Sequence, residues 1–295
     1  MIKQYPVFFV LCLSFCVGIV HARERTIWAS NYPLSFFAEK ISGKPEIVIF
    51  PEIEGDPAFW EPNTADILTM QKSDILVLNG ATYEKWLTGV ALSKRKIVDT
   101  SKPFKEKYII MEEAADHSHG PSGAHSHSGT AFTTWIDLNQ AAFQAKAVKD
   151  AIAKQKVSSE KVLNKNFDSL IGELKALDTE INKIVQGQSK VPLIASHPVY
   201  QYFARRYGLN IKAMYWEPDV FPDEQMWKDL EEILKEHSAK WMIWEAKPLP
   251  KSVAKLKEMG IKSIVFDPCG NKPKKGDFLS VMKKNVANLK RIFEN

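Results

Sequence analysis

The sequence predicts an α/β protein of two parallel-sheet lobes joined by a single long linking helix. Three observations carry this. Short apolar runs alternate with helical segments from 25 to 101, and the same alternation returns after Gly187. Between the two stretches, segment 159–185 keeps Leu163, Phe167, Leu170, Ile171, Leu174, Leu177, Ile181 and Ile184 on one helical face. Strands alternating with helices pair in parallel through crossover connections. A helix over 159–185 would be about 40 Å long at 1.5 Å per residue, enough to cross from one lobe to the other.

The elements follow in chain order. Lys3, the apolar run 7–20 and the small-residue site Val20-His21-Ala22 have the order of a secretory signal over 1–22. The run is short for a permanent membrane span. Phe15 before Cys16 does not fit a lipoprotein cleavage site, so a free mature protein in the periplasm is expected. An N-terminal lobe over 23–136 then reads as strand 25–30, helix 33–43, strand 46–50, helix 63–73, strand 74–79, a helix beginning at 83–87 and strand 96–99. Within it, 112–130 is rich in Gly, Ser and His without periodicity, and reads as a mobile surface loop. Helices over 139–155 and 159–185 make up a helical segment, 137–187. A C-terminal lobe, 188–295, reads as strand 191–195, helix 198–207, strand 211–215, helix 223–237, strand 241–244, helix 251–259, strand 263–266 and helix 277–293.

Composition narrows the function classes. The 40 basic and 35 acidic residues give a net charge of +5. They are spread without a basic stripe carrying aromatics, so nucleic acid is not a partner. Of 3 cysteines, Cys12 and Cys16 fall in the signal, leaving Cys269 without an internal disulfide partner. No Gly-x-Ser-x-Gly turn, phosphate loop or dinucleotide fingerprint is present. The sequence therefore points to a binding protein with no catalytic residues, and not to an enzyme.

In parallel α/β sheets, ligands bind beyond the carboxyl ends of the strands. His197, Glu245 and Asp267 each follow a predicted strand there. The loop after strand 46–50 adds Glu52, Glu54, Asp56 and Glu61. One histidine and several carboxylates converging on a crevice suit a divalent metal. Each also has a structural explanation: His197 precedes a helix-starting proline, and Asp267-Pro268-Cys269-Gly270 has turn composition.

These residues, with Asn31-Tyr32-Pro33-Leu34, Gly55 through Pro62, Asn79-Gly80, Trp135-Ile136-Asp137, Ser196-His197 through Leu209, and Asp267 through Gly270, carry a family resemblance. The chain resembles the zinc- and manganese-type substrate-binding proteins of ABC importers, a group that includes cell-adhesion proteins. The resemblance implies a monomer of two lobes around a rigid helix, with Zn2+ or Mn2+ held between them and passed to a membrane permease subunit. It also implies three histidines and a carboxylate as ligands. His197 and Asp267 match, whereas Ala58 and Thr133 stand where the other histidines belong.

Three readings stay open. Glu61, Glu245, His125 or His127 could replace the missing ligands; His127 lies roughly 20 Å of extended chain from Thr133. Alternatively, Trp60, Trp135 and Trp216, with Phe59 and Trp244, could line the cleft for an aromatic or cationic solute. In the third reading, His117, His119, His125 and His127 act as a metal buffer in the loop.

Overall fold

The computed structural model describes residues 24–294 apart from 52, 54, 56, 112–116, 119–123 and 126–128, with the backbone alone at 58, 117, 118, 124 and 125. The expected signal, 1–22, lies outside the described residues.

Four short strands, β1 (Ile27–Ala29), β2 (Val48–Ile49), β3 (Ile75–Leu78) and β4 (Ile97–Asp99), form a parallel sheet of order β2-β1-β3-β4. Strand β3, Ile-Leu-Val-Leu, is buried throughout, as expected of a parallel strand covered on both faces. Two small antiparallel ribbons follow. Strand β5 (Ile110–Met111) pairs with β8 (Gly129–Thr130), and β6 (His117–Ser118) pairs with β7 (Ala124–His125). Within the stretch expected to be a mobile surface loop, 112–130, the described residues 117–118, 124–125 and 129–130 have paired backbone. The second parallel sheet contains β9 (Pro192–Ala195), β10 (Asn210–Ala213), β11 (Trp241–Trp244) and β12 (Lys262–Val265), in the order β10-β9-β11-β12.

The helices start and stop where local chemistry directs. Helix α1 (Tyr32–Ser42) begins with Asn31 Oδ1 accepting the Leu34 N–H at 3.0 Å, and Pro33 sits in its first turn. Left-handed Gly43 ends it. Helix α2 (Thr64–Lys72) has a reciprocal cap between Asn63 and Asp66. Helices α3 (Leu138–Lys154) and α4 (Glu160–Val185) start from Asp137 and Ser159. Helices α5 (Gln201–Tyr207), α6 (Glu224–Glu236), α7 (Pro250–Glu258) and α8 (Phe278–Phe293) complete the second half.

Three elements depart from the sequence expectation. The strand expected over 46–50 is a 3-10 turn, Pro45–Ile47, followed by only two strand residues, because Pro45 fixes a helical φ at its start. The helix expected from 83 is a 3-10 turn, Lys85–Gly89, entered through three successive left-handed residues, Gly80, Ala81 and Thr82. The helix expected from 198 begins at Gln201, after a tight turn in which the Val199 N–H bonds the His197 carbonyl at 2.9 Å.

Helix α4 runs through the centre. Leu163, Leu170, Leu174, Leu177, Ile181 and Ile184 are buried on one face, packed against α1 and α3 toward one sheet and α5 and α8 toward the other. One apolar core is continuous across both halves, with Phe37 meeting Phe278 edge to face at 5.5 Å. Truncating any of those leucines to alanine would cost about 2–5 kcal/mol. Loop 267–271 crosses the seam between the halves. Its Gly270 carbonyl accepts the Tyr32 N–H at 2.9 Å, its Pro268 carbonyl accepts Trp135 Nε1–H at 2.7 Å, and Asn271 Nδ2 donates to the Ile53 carbonyl at 2.8 Å. Among the described residues, no helix is long and apolar enough to cross a membrane.

Candidate metal centre

The second sheet delivers one ionisable side chain from each strand end. Past β9, the Ser196 N–H bonds the Ile243 carbonyl at 2.8 Å, and His197 follows directly. Past β10, the Met214 N–H bonds the Ala195 carbonyl at 2.8 Å and the Trp216 N–H bonds the Ser196 carbonyl at 2.7 Å. The β10–β9 ladder is thereby extended beyond its strands, and Glu217 is carried alongside His197. Glu245 follows β11, whose loop is tied to the Glu217 loop by the Leu249 N–H on the Pro218 carbonyl at 2.9 Å.

These three residues converge. One donor atom each from His197, Glu217 and Glu245 lie within 4.8 Å of one another. His197 Nδ1 stands 3.7 Å from Glu217 Oε1. Ligands about 2.1 Å from a tetrahedral ion lie roughly 3.4 Å apart, so small side-chain rotations would close the set. His197 is 5% exposed and Glu217 is half-exposed, giving one sheltered anchor and one solvent-facing donor. Tyr215 lies edge-on to the imidazole, with ring centroids 6.4 Å apart.

Behind the carboxylates is an indole stack. Trp216 and Trp244 immediately precede Glu217 and Glu245, and their rings lie 6.1 Å apart, with Trp227 4.6 Å from Trp216. Both are fully buried. Two rigid side chains therefore hold the backbone from which both glutamates project.

The other residues singled out from the sequence fall elsewhere. Asp267 stands beyond β12 and outside the converging group. Its Oδ1 accepts the Cys269 N–H at 2.7 Å, and its backbone is held by the Asn285 amide at 2.9 and 2.7 Å. Burial raises its carboxyl above the ordinary range. Glu61 is exposed and outside the group. Trp216 and Trp135 are core residues and not cleft walls. Trp135 packs edge-on to Tyr83 and bonds Pro268, and Trp60 packs tilted on Trp28 and edge-on to Trp86. Burying an indole removes far more apolar surface from water than lining an open cleft would, which explains the difference. His117 and His125 occupy paired backbone positions, while His119 and His127, like Glu52, Glu54 and Asp56, lie outside the described residues.

Glu217 is the residue that sequence reasoning passed over. The strand-end rule that selects His197, Glu245 and Asp267 selects it too, once applied to the remaining strand of the sheet. The repeated Trp-Glu pair at 216–217 and 244–245 was the available signal.

Two parallel α/β halves around one helix, with donors at strand ends, define a two-lobed binding-protein class. The family is specific: residues 27–292 match the model of the ZnuA family, described as zinc-uptake complex component A periplasmic, and the chain belongs to that family. It is 26% identical over 277 residues to the high-affinity zinc uptake system protein ZnuA of Bacillus subtilis, covering 88% of this chain and 84% of that one. It is 24% identical over 309 residues to zinc-binding protein AdcA of Streptococcus pyogenes serotype M3; the match takes in 98% of this chain and spans only 60% of the relative's length. The Zn(II)-bound ZnuA-like domain of Streptococcus pneumoniae AdcA has the same fold, with a TM-score of 0.75 at 20% identity over 92% of this chain and all of that domain.

Proposed function

We propose that this chain is the extracytoplasmic solute-binding component of an ABC importer, capturing a divalent metal ion and delivering it to a membrane permease. Zinc is the first candidate cargo and manganese the second. The observation that carries the reading is the convergence of His197 with Glu217 and Glu245 on adjacent strand ends of a ZnuA-family chain. A neutral imidazole supplies nitrogen and two carboxylates offset the charge of a divalent cation. Three protein ligands leave at least one coordination position for water, the arrangement of open rather than closed zinc sites. An open site exchanges its metal more readily than a four-ligand structural site, which suits a carrier that must release its cargo. The role requires no bond-making chemistry, and export to the periplasm by the 1–22 signal fits it.

Calorimetric titration of the chelator-stripped full chain with zinc and with manganese tests the proposal. One site per chain is expected, with zinc the tighter of the two, as the usual order of divalent-ion affinities requires. Absence of a specific binding heat for either ion would sink the metal-carrier reading.

A further inference from the structure

The position of the metal seat in the fold can be inferred further, on the footing that the chain is a metal carrier. The resemblance read from the sequence places the ion between the lobes, with ligands from both. Among the described residues, the first half brings no group of donors together. Ala58 has no donor, and Thr133 offers only a buried neutral hydroxyl. Asn79, buried at the end of β3, is engaged by Asn31, Thr134 and Gln144. The carboxylates nearby are held by backbone. Glu84 accepts the N–H groups of Asn79 and Gly80 at 2.6 and 3.0 Å, and Asp99 accepts those of Ser101 and Lys102, both at 3.1 Å.

The second half is arranged differently. Its strand order is β10-β9-β11-β12. His197, after β9, therefore has Glu217 on one side and Glu245 on the other, each one strand away. Asp267 follows β12, two strands from His197. At about 4.8 Å between neighbouring strands, that separation is roughly 10 Å before side-chain reach is considered. Asp267 is also turned back onto its own loop through Cys269.

We infer that the metal seat is formed by His197, Glu217 and Glu245 from three adjacent strand ends of the C-terminal lobe, with no described residue of the N-terminal lobe among its ligands. Glu217 is then a ligand that the family resemblance does not supply. Asp267 serves the seam, where its loop binds Tyr32 and Trp135, and not the cargo.

The test uses the full chain and zinc titration. Glu217→Gln and Glu245→Gln should each weaken binding by about 100-fold, at or beyond the upper end of what loss of a supporting residue costs at a metal site. Asp267→Asn, Glu61→Gln, deletion of 116–127, and replacement of Glu52, Glu54 and Asp56 by their amides should each leave affinity within about threefold, less than 1 kcal/mol. Thermal unfolding checks that each variant is folded. If Glu217→Gln does not fold, Glu217→Asp, which keeps the charge but shortens the side chain, takes its place with weakening again expected. Zinc bound normally by both glutamine variants but lost in Asp267→Asn, or in any N-terminal or loop variant, would overturn this inference while leaving the carrier reading intact. No zinc or manganese bound by the unaltered chain would remove the carrier reading itself.

Discussion

The two sheets have the same strand order, first strand inside second, then third and fourth outward, yet their carboxyl ends hold opposite kinds of chemistry. In the N-terminal sheet the polar groups there satisfy one another. Asn79 joins Asn31, Thr134 and Gln144, Gln144 reaches Thr100, and Glu84 pins the left-handed turn at Gly80-Ala81-Thr82. That turn requires glycine at its first position, since a Cβ at Gly80 would lie 2.1 Å from Asp99 Oδ1. Ala81 and Thr82 have no such freedom, and left-handed backbone costs them roughly 1–2 kcal/mol each. In the C-terminal sheet every strand end carries an ionisable side chain, and three of the four converge. One scaffold thus ends in a hydrogen-bonded amide network in one half and in a cluster of a histidine and two carboxylates in the other.

The contrast can be broken first at the amide network. Asn79→Ala removes a fully buried hub and leaves several partners without their bonds. It should destabilise the chain by about 3–5 kcal/mol in urea unfolding. A loss below about 1 kcal/mol would mean that the network is not what holds this end.

Glu84→Gln is a pH experiment. Burial raises the Glu84 carboxyl to about 7, against backbone and Ser30 hydrogen bonds that favour its charged form. The folded chain therefore binds this proton more tightly than the unfolded chain does. Stability from this group is full below pH 4.5 and is lost as pH rises through about 7. The loss should be on the order of 3 kcal/mol. The Gln variant should lack that part of the pH slope, and parallel slopes for the two proteins would refute the assignment.

The smallest effect belongs to the cluster of the other half. Without metal, Glu217→Gln should shift unfolding by no more than about 0.5 kcal/mol, because the side chain is half-exposed and supports little of the fold. A large destabilisation would make Glu217 a structural residue and erase the difference between the two sheet ends.

Much of the fold was legible because its signals are local. Apolar period, Asn31, Asn63, Ser159 and Asp277 at helix starts, and Gly43 at a helix end marked the elements closely. Two departures, at 46–50 and 198, lie beside prolines whose local effect was underweighted, and the third was set by contacts outside its own segment. The turn at 80–82 depends on Glu84 and on contact with Asp99, which no window of sequence exposes. The site was half legible. Strand-end placement found His197 and Glu245 from sequence alone, but which strand lies beside which is a property of the sheet. Asp267 shared the strand-end placement of His197, and only the order β10-β9-β11-β12 puts it two strands away and brings Glu217 alongside instead. Trp135 and Trp216 proved to be core because composition does not say which face of the backbone a ring takes.

Loop 267–271 also carries Cys269, 2% exposed and with left-handed backbone at φ 59°. Burial, with Asp267 and Asp277 nearby, pushes its thiol well above the usual range. In an oxidising compartment that sulfur is chemically silent while the seam stays shut. It is the sole cysteine beyond the N-terminal segment, so any alkylating reagent that reaches it does so when the loop lifts away. The rate at which a thiol reagent modifies Cys269 should therefore report how often loop 267–271 uncovers it.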